Sequence, residues 1–374
     1  MPARAKEEGS TFDGLDDDDD DRLVSKRRSP ATIADVARKA GVSTATVSRV
    51  VSGVGNPRPA TVARVKKAVE ELDYRPSAVA RSLRMHRTRT LGLVVTDIQD
   101  PFFPELVQAA DLAARSLGYS ILLGSAAYDE QRAMHYLDLM ADRRVDGILV
   151  ASSQVSMSRK WLASSPVPII IVNAEMRDPP VTIVTSDNQG GSALAAAHML
   201  ELGHRRIAYV EGPTSYSAGQ PRLRGFRKAV RDAGLAATET PELPGDGQVE
   251  GGERAVATLM ARDPDVTALV CYNDLTAMGA LRALRAAGRR VPADISVIGL
   301  DDIAAAASVV PALTTVAQQK ARMGQLSTDL LIRAIEHPDD VYRPEIVRLP
   351  MAIVERESTG PVTKAARCSP PTHW

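Results

Sequence analysis

Six polar residues stand where apolar runs end. Asp97 follows L-G-L-V-V-T, Asn173 follows V-P-I-I-I-V, Asn273 and Asp274 follow T-A-L-V-C-Y, and Asp301 and Asp302 follow D-I-S-V-I-G-L. Such runs read as buried strands, and in open α/β sheets ligands gather outside the carboxyl ends of strands. Carboxylates and carboxamides at that level can hold hydroxyl-rich ligands or ring nitrogens through paired hydrogen bonds. They can equally cap the helices that follow, where Asp and Asn are favoured. Nearer the N-terminus, Thr44, Ala45, Ser48 and Arg49 share the outer side of a helical stretch. An arginine there can place two hydrogen bonds on a guanine, and an alanine can touch only an apolar group such as a thymine methyl. Phe102 and Phe103 in D-P-F-F, and Tyr216 further on, are candidates to stack on a ring, although one phenylalanine suits the core. His135, His198 and His204 lack metal-ligand spacing, and neither G-x-S-x-G nor a phosphate loop occurs. No catalytic set, metal or cofactor is therefore expected.

The outward residues need a helix to present them. Thr32 can cap a helix whose apolar face is Ile33, Val36, Ala37 and Ala40. Gly41 supplies a left-handed stop, and Ser43 caps a second helix with Val47, Val50 and Val51 inward. Two short helices joined by a Gly-containing turn make a helix-turn-helix. Pro59 starts a third helix, with Val62, Val65, Val69 and Leu72 on one face, and Tyr74-Arg75-Pro76 ends it. Ser77 to Arg84 forms a short fourth helix, marginal alone in water. From Leu91 apolar strands alternate with helices, which implies parallel sheets covered on both faces, in two doubly wound subdomains.

The formal net charge of zero hides an asymmetry. Residues 1–21 carry nine acidic and two basic side chains, including the run Asp16 to Asp21, whereas residues 22–90 carry sixteen basic and four acidic. A basic block that coincides with a helix-turn-helix is the footprint of nucleic-acid binding. Lys26-Arg27-Arg28 is placed to touch phosphates or to serve as a solvated linker. The acidic run, about ten residues before Thr32, reads as disordered and placed to compete with phosphates for the basic head. Two cysteines, Cys271 and Cys368, make no disulfide framework and suggest a reducing cytoplasm. Neither a signal-peptide core nor an apolar run of bilayer length occurs, so no membrane partner is expected.

T-I-A-D-V-A-R-K-A-G-V-S-T-A-T-V-S-R-V-V and Y-R-P-S-A-V-A-R-S-L resemble the DNA-binding head and hinge helix of LacI/GalR-type bacterial transcription regulators, and the resemblance runs to about Glu357. It implies a small all-α helix-turn-helix head plus an α/β body, two doubly wound parallel-sheet subdomains with a ligand cleft between them. The expected divisions are an acidic extension at 1–29, a head at 30–76, a hinge helix and linker at 77–90, a two-lobed effector and dimerisation body at 91–358, and a tail at 359–374. Chain crossings between the lobes are expected near Asp187, Val316 and Val347. The resemblance implies DNA contacts from Thr32, Ser43, Thr44, Ala45, Thr46, Ser48, Arg49, Asn56, Ser77, Ala80 and Leu83, with Leu83 wedged into the minor groove. It assigns effector contacts to Asp97, Phe102, Phe103, Asn173, Tyr216, Arg222, Asn273 and Asp301, whereas capping suits Asp274 and Asp302 better. Arg222, in R-L-R-G-F, matches a family arginine that reaches the effector. The implied protein is a cytoplasmic homodimer or higher assembly that represses transcription by binding palindromic operator DNA under control of a small effector. A sugar, sugar derivative or nucleobase would fit. Asn173 stands where some members carry an acid, and Gly247 where sugar binders place an aromatic. The alternatives are a sugar-binding protein and a ribohydrolase-like enzyme of similar fold, against which the basic head and the missing signal peptide count.

Overall fold

The structure is a computed structural model, and it describes residues 31–52, 55–74, 87–151, 159–339 and 343–362. The chain divides into two compact units, a head and a body. The acidic extension and the whole segment from Ser77 to Arg84 lie outside the described residues.

Three helices make the head. In α1 (Ile33–Ala40) the Thr32 hydroxyl accepts from the Asp35 amide, while the Asp35 carboxylate accepts from the Thr32 amide, a reciprocal cap. Gly41, at φ 64, stops it. The Ser43 hydroxyl accepts from the Thr46 amide at 3.2 Å and starts α2 (Thr44–Ser52). Pro59 opens α3 (Pro59–Glu71). Val36, Ala37, Ala40, Val47, Val65 and Ala68 form the core, with Val50 packed partly against it. Val51, expected inside, is 37 % exposed, and Ser48, expected outside, is half-buried. A core this small cannot cover the whole valine face of α2, so the helix is turned slightly from the sequence-based reading.

The body holds two six-stranded sheets. Its strands are β1 (Thr90–Val95), β2 (Ser120–Ser125), β3 (Gly147–Ala151), β4 (Ile169–Val172), β5 (Ile183–Ser186), β6 (Ile207–Val210), β7 (Glu242–Leu243), β8 (Ala268–Cys271), β9 (Ser296–Asp301), β10 (Thr314–Ala317), β11 (Ile346–Leu349) and β12 (Ala352–Val354). Its α-helices are α4 (Phe103–Ser116), α5 (Glu130–Asp142), α6 (Arg159–Ala163), α7 (Asn188–Glu201), α8 (Gly219–Asp232), α9 (Val249–Arg262), α10 (Asp274–Ala286) and α11 (Lys320–Glu336). Lobe 1 has the order β11-β5-β4-β3-β1-β2, lobe 2 the order β12-β10-β9-β8-β6-β7. All pairings are parallel except β12 with β10, so the expected parallel sheet of lobe 2 carries one antiparallel edge. In lobe 1 the apolar faces of α4 and α11 cover one side of the sheet, and α5 with α6 the other. In lobe 2, α9 and α10 cover one side, α7 and α8 the other. The chain crosses between lobes after β5, after β10 and after β11, at the three expected places. Packing includes Arg87, whose guanidinium donates to the Ile335 carbonyl, and Thr88, whose amide donates to Asp146, and continues through Gly360 and Val362, past the boundary expected at 358.

The first two helices of lobe 2, α7 and α8, touch backbone to backbone. A Cβ added at Gly225 on α8 would overlap the carbonyl oxygen of Gln189 on α7, which no rotamer change can relieve. Gly225→Ala is expected to lower stability by about 1–3 kcal/mol through this overlap, read as a fall in melting temperature. An unchanged melting temperature would mean the two helices separate freely.

Candidate functional site

On the head, Ser43, Thr44, Ala45 and Arg49 are exposed along α2, with Thr32 and Asn56 exposed nearby. Thr46 is half-buried and its hydroxyl lies 3.0 Å from that of Ser43, so it serves the cap first. The exposed face of α2 is therefore small and polar with one guanidinium, a shape and chemistry that fit a major groove. Ser77, Ala80 and Leu83 lie outside the described residues.

In the body, the strand ends of the two lobes face each other. Arg222, on the first turn of α8, is 3 % exposed. Its guanidinium forks to three acceptors: Asn188 Oδ1 at 2.9 Å, the Tyr272 carbonyl at 2.5 Å and Asp301 Oδ1 at 3.0 Å. Its Cζ lies 4.7 Å from the Tyr272 ring centroid. Burial pulls the guanidinium pKa down, but Asp301 and the Tyr272 and Tyr209 rings more than offset this, and the net shift is upward. Gln318 Nε2 also donates to Asp301 Oδ1, at 2.6 Å. Asp301 holds φ at +122°, a conformation side chains rarely adopt, and three side-chain donors fix it there: Arg222, Gln318 and Lys320.

Opposite, Tyr128 stacks on Tyr216 at 6.4 Å, and Tyr216 meets the edge of Tyr272. The Tyr128 hydroxyl reaches Asp100 at 3.3 Å and accepts from Gln248 at 3.5 Å. Burial, reinforced by the Asp301 and Asp97 charges, pushes the Asp100 carboxyl up despite the amide of Phe102 that it binds. Burial likewise pushes the Tyr128 phenol up, with the Asp100 charge behind it. One constellation thus unites Arg222, Asp301, Tyr216 and Asp97 with Asp100, Tyr128, Gln248, Tyr272 and Gln318, five residues the sequence reasoning passed over. Tyr272 had a signal, since it directly precedes Asn273 at the end of β8.

Five residues change role. Phe102 and Phe103 are 4 % and 3 % exposed and pack edge to face within the lobe 1 core, so neither is a stacking surface here. Asn273, expected to reach the ligand, caps α10: its Oδ1 accepts from the Thr276 amide at 2.9 Å, and its Nδ2 donates to the Gly247 carbonyl. Asp274, expected to cap, is fully buried and instead accepts from the Ile303 amide at 2.9 Å and the Thr315 hydroxyl at 2.5 Å. Asp302 likewise caps no helix but pairs with Arg356 at 2.7 Å. Asn173, at φ 57 after β4, leaves its Oδ1 buried without a hydrogen-bond partner. Asp97 accepts from the Gln99 amide. Among the described residues no group of His, Cys, Asp and Glu could hold a metal ion, and no helix is long and apolar enough to cross a membrane.

Residues 32–77 match the model for bacterial regulatory proteins of the lacI family, and residues 88–354 that for periplasmic binding proteins and the sugar binding domain of the LacI family. The chain is 38 % identical over 328 residues to the HTH-type transcriptional repressor PurR of Aliivibrio fischeri, covering 85 % of this chain and 97 % of that one. Among solved structures, the lac repressor dimer bound to operator and the anti-inducer ONPF superposes with a TM-score of 0.80 at 28 % identity, covering 89 % of this chain and all of that one. A complex of the transcriptional regulator CelR with cellobiose gives a TM-score of 0.64 at 34 % identity, over 88 % and 99 % of the two chains.

Proposed function

Because the chain belongs to the lacI family of bacterial regulatory proteins, a DNA-binding head joined to an effector-binding body, we propose that it represses transcription as a cytoplasmic homodimer whose operator affinity is set by a neutral carbohydrate. The supporting observation is the buried Arg222–Asp301 pair beside the Tyr272 ring. Acceptors are prominent in the balance around it: Asp97, Asp100 and Asp301 accept hydrogen bonds, and the buried Asn173 Oδ1 has no partner. A ligand rich in hydroxyl donors, with a face to lay on tyrosine, fits that balance better than a nucleobase. CelR binds cellobiose on a similar fold. In this reading Asn173, Asp97 and Tyr216 frame the ligand, residues 31–74 bind DNA, residues 87–362 bind the effector, and the site binds without catalysing.

Arg49 carries the base-reading half. Arg49→Ala is expected to lose about 1–3 kcal/mol of specific binding and little non-specific binding. Duplexes selected from a random pool by the full-length protein provide the operator, and anisotropy titrations against random DNA give the ratio. An unchanged ratio removes Arg49 from readout. Titrating the same complex with cellobiose, pentoses, hexoses and free nucleobases tests the ligand class. A response to a nucleobase alone would replace the carbohydrate.

A further inference from the structure

Lys320 is the first residue of α11, on the second crossing between lobes, and is 3 % exposed. A buried ammonium needs an acceptor for each of its three N–H groups. Lys320 finds three: the carbonyls of Asp301 at 2.7 Å and Asp302 at 2.9 Å, and Glu105 Oε2 at 3.3 Å. The two carbonyls belong to the end of β9 in lobe 2. Glu105 sits on the first turn of α4 in lobe 1, and α11 itself packs in the lobe 1 core. Two residues earlier, Gln318 holds the Asp301 carboxylate, and Gln319 donates to the Pro350 carbonyl on the third crossing.

We propose that Lys320 is a positioning residue for the effector site, a buried cation that pins the left-handed Asp301 of lobe 2 to α4 and α11 of lobe 1. This rests on the reading of Asp301 as an effector contact. The carboxylate of Asp301 faces Arg222 while its carbonyl faces Lys320, so one residue is gripped from both lobes. Separating the lobes at this point strips two acceptors from a buried charge. Keeping Asp301 in its unusual conformation and keeping the lobes in this relative position are thus the same requirement. An effector that binds the Asp301 carboxylate then favours this lobe arrangement by its differential contact alone.

The test is hydrogen–deuterium exchange on the ligand-free, full-length protein, read at the Asp302 and Ile303 amides. Lys320→Met is expected to speed their exchange about tenfold, and Lys320→Arg to return it to within about twofold. Glu105→Gln, a half-exposed change on the other lobe, should speed the same amides about threefold, with the Lys320→Met, Glu105→Gln double variant no faster than Lys320→Met. A side chain that only fills space at α11 would not carry an effect from Glu105 to lobe 2. Parental exchange at 302–303 in Glu105→Gln overturns the proposal, and that variant decides alone if Lys320→Met fails to fold. Because no effector is added, this outcome is independent of the ligand reading, which the Arg222 variants judge.

Discussion

Arg222→Ala is expected to abolish the response of operator binding to effector and to destabilise the body by about 3–5 kcal/mol. The stability loss has a definite origin. Asp301 is 7 % exposed, and without Arg222 its carboxylate keeps the Gln318 amide but loses its only cationic side-chain partner described here. The Tyr272 carbonyl and Asn188 lose a donor at the same time. Replacing both members of a buried pair costs far less than removing one. Arg222→Met with Asp301→Asn should therefore recover much of the lost stability, because asparagine tolerates positive φ and no bare charge remains. It should not recover the response. Thermal unfolding reports the first half and anisotropy with the carbohydrate series the second. A normal effector response in Arg222→Ala would place the site elsewhere.

Two buried groups of lobe 2 make stability depend on pH, in opposite directions. His204, 2 % exposed, must donate through Nε2 to the Gly360 carbonyl at 3.0 Å, so its Nδ1 is the acceptor for Thr267 at 2.9 Å. That is the neutral ring. Burial first, then the nearby His198, lowers its pKa below the ordinary 6.5, although the Gly360 carbonyl opposes this. The unfolded chain thus takes up the proton first, and stability is lost as pH falls below about 6.5. Asp274 acts in the opposite direction. Burial, then the charge of Asp301, pushes its carboxyl up to about 8 from 3.8, against the hydrogen bonds from Thr315 and Ile303. The folded state holds this proton when the unfolded state has released it, so stability declines as pH rises from about 4 to about 8. Asparagine reproduces the protonated acid, accepting from Ile303 with its oxygen and donating to Thr315 with its nitrogen. Asp274→Asn should match the parent near pH 4 and exceed it in melting temperature by a growing margin up to about pH 8. Asp274→Ala leaves the Ile303 amide unpaired, at a cost of about 1–3 kcal/mol at any pH. A constant difference between Asp274→Asn and the parent across that range would mean that Asp274 does not titrate there.

The head and the succession of strands along the chain were open to reading because each rests on local signals. Thr32, Gly41, Ser43 and Pro59 punctuate the head as residue type alone dictates, and the apolar runs ending at Asp97, Asn173, Asn273 and Asp301 locate the sheet edges. What the sequence left undecided was direction. At the end of β8, Asn273 and Asp274 are equally able to cap a helix. The choice falls to Gly299 on the neighbouring strand, whose missing side chain leaves the space that the Asp274 carboxylate occupies. Phe102 and Phe103 have the right neighbours for a ligand site, yet the gap between α4 and the lobe 1 sheet takes both rings. Tyr128 was invisible because nothing near it is periodic. It sits at φ 60 in a short turn, where long-range contact with Tyr216 and Gln248 sets its place.

The crossings also govern how the molecule can be made. Lobe 1 begins at Thr90, but its core needs Met323, Leu331, Ile332, Ile335 and Leu349, which follow nearly all of lobe 2 in the chain. Lobe 2 in turn needs β12, and Ser358 and Gly360 to bond Val297 and Ser296 at the far end of its sheet. A ribosome therefore releases the whole stretch from Leu91 to Leu300 before either sheet can close. The valines and leucines of the sheet faces that α11, β11 and β12 complete stay uncovered until those elements emerge. No stretch of consecutive codons encodes a single lobe, and a premature stop before β11 leaves both unfinished.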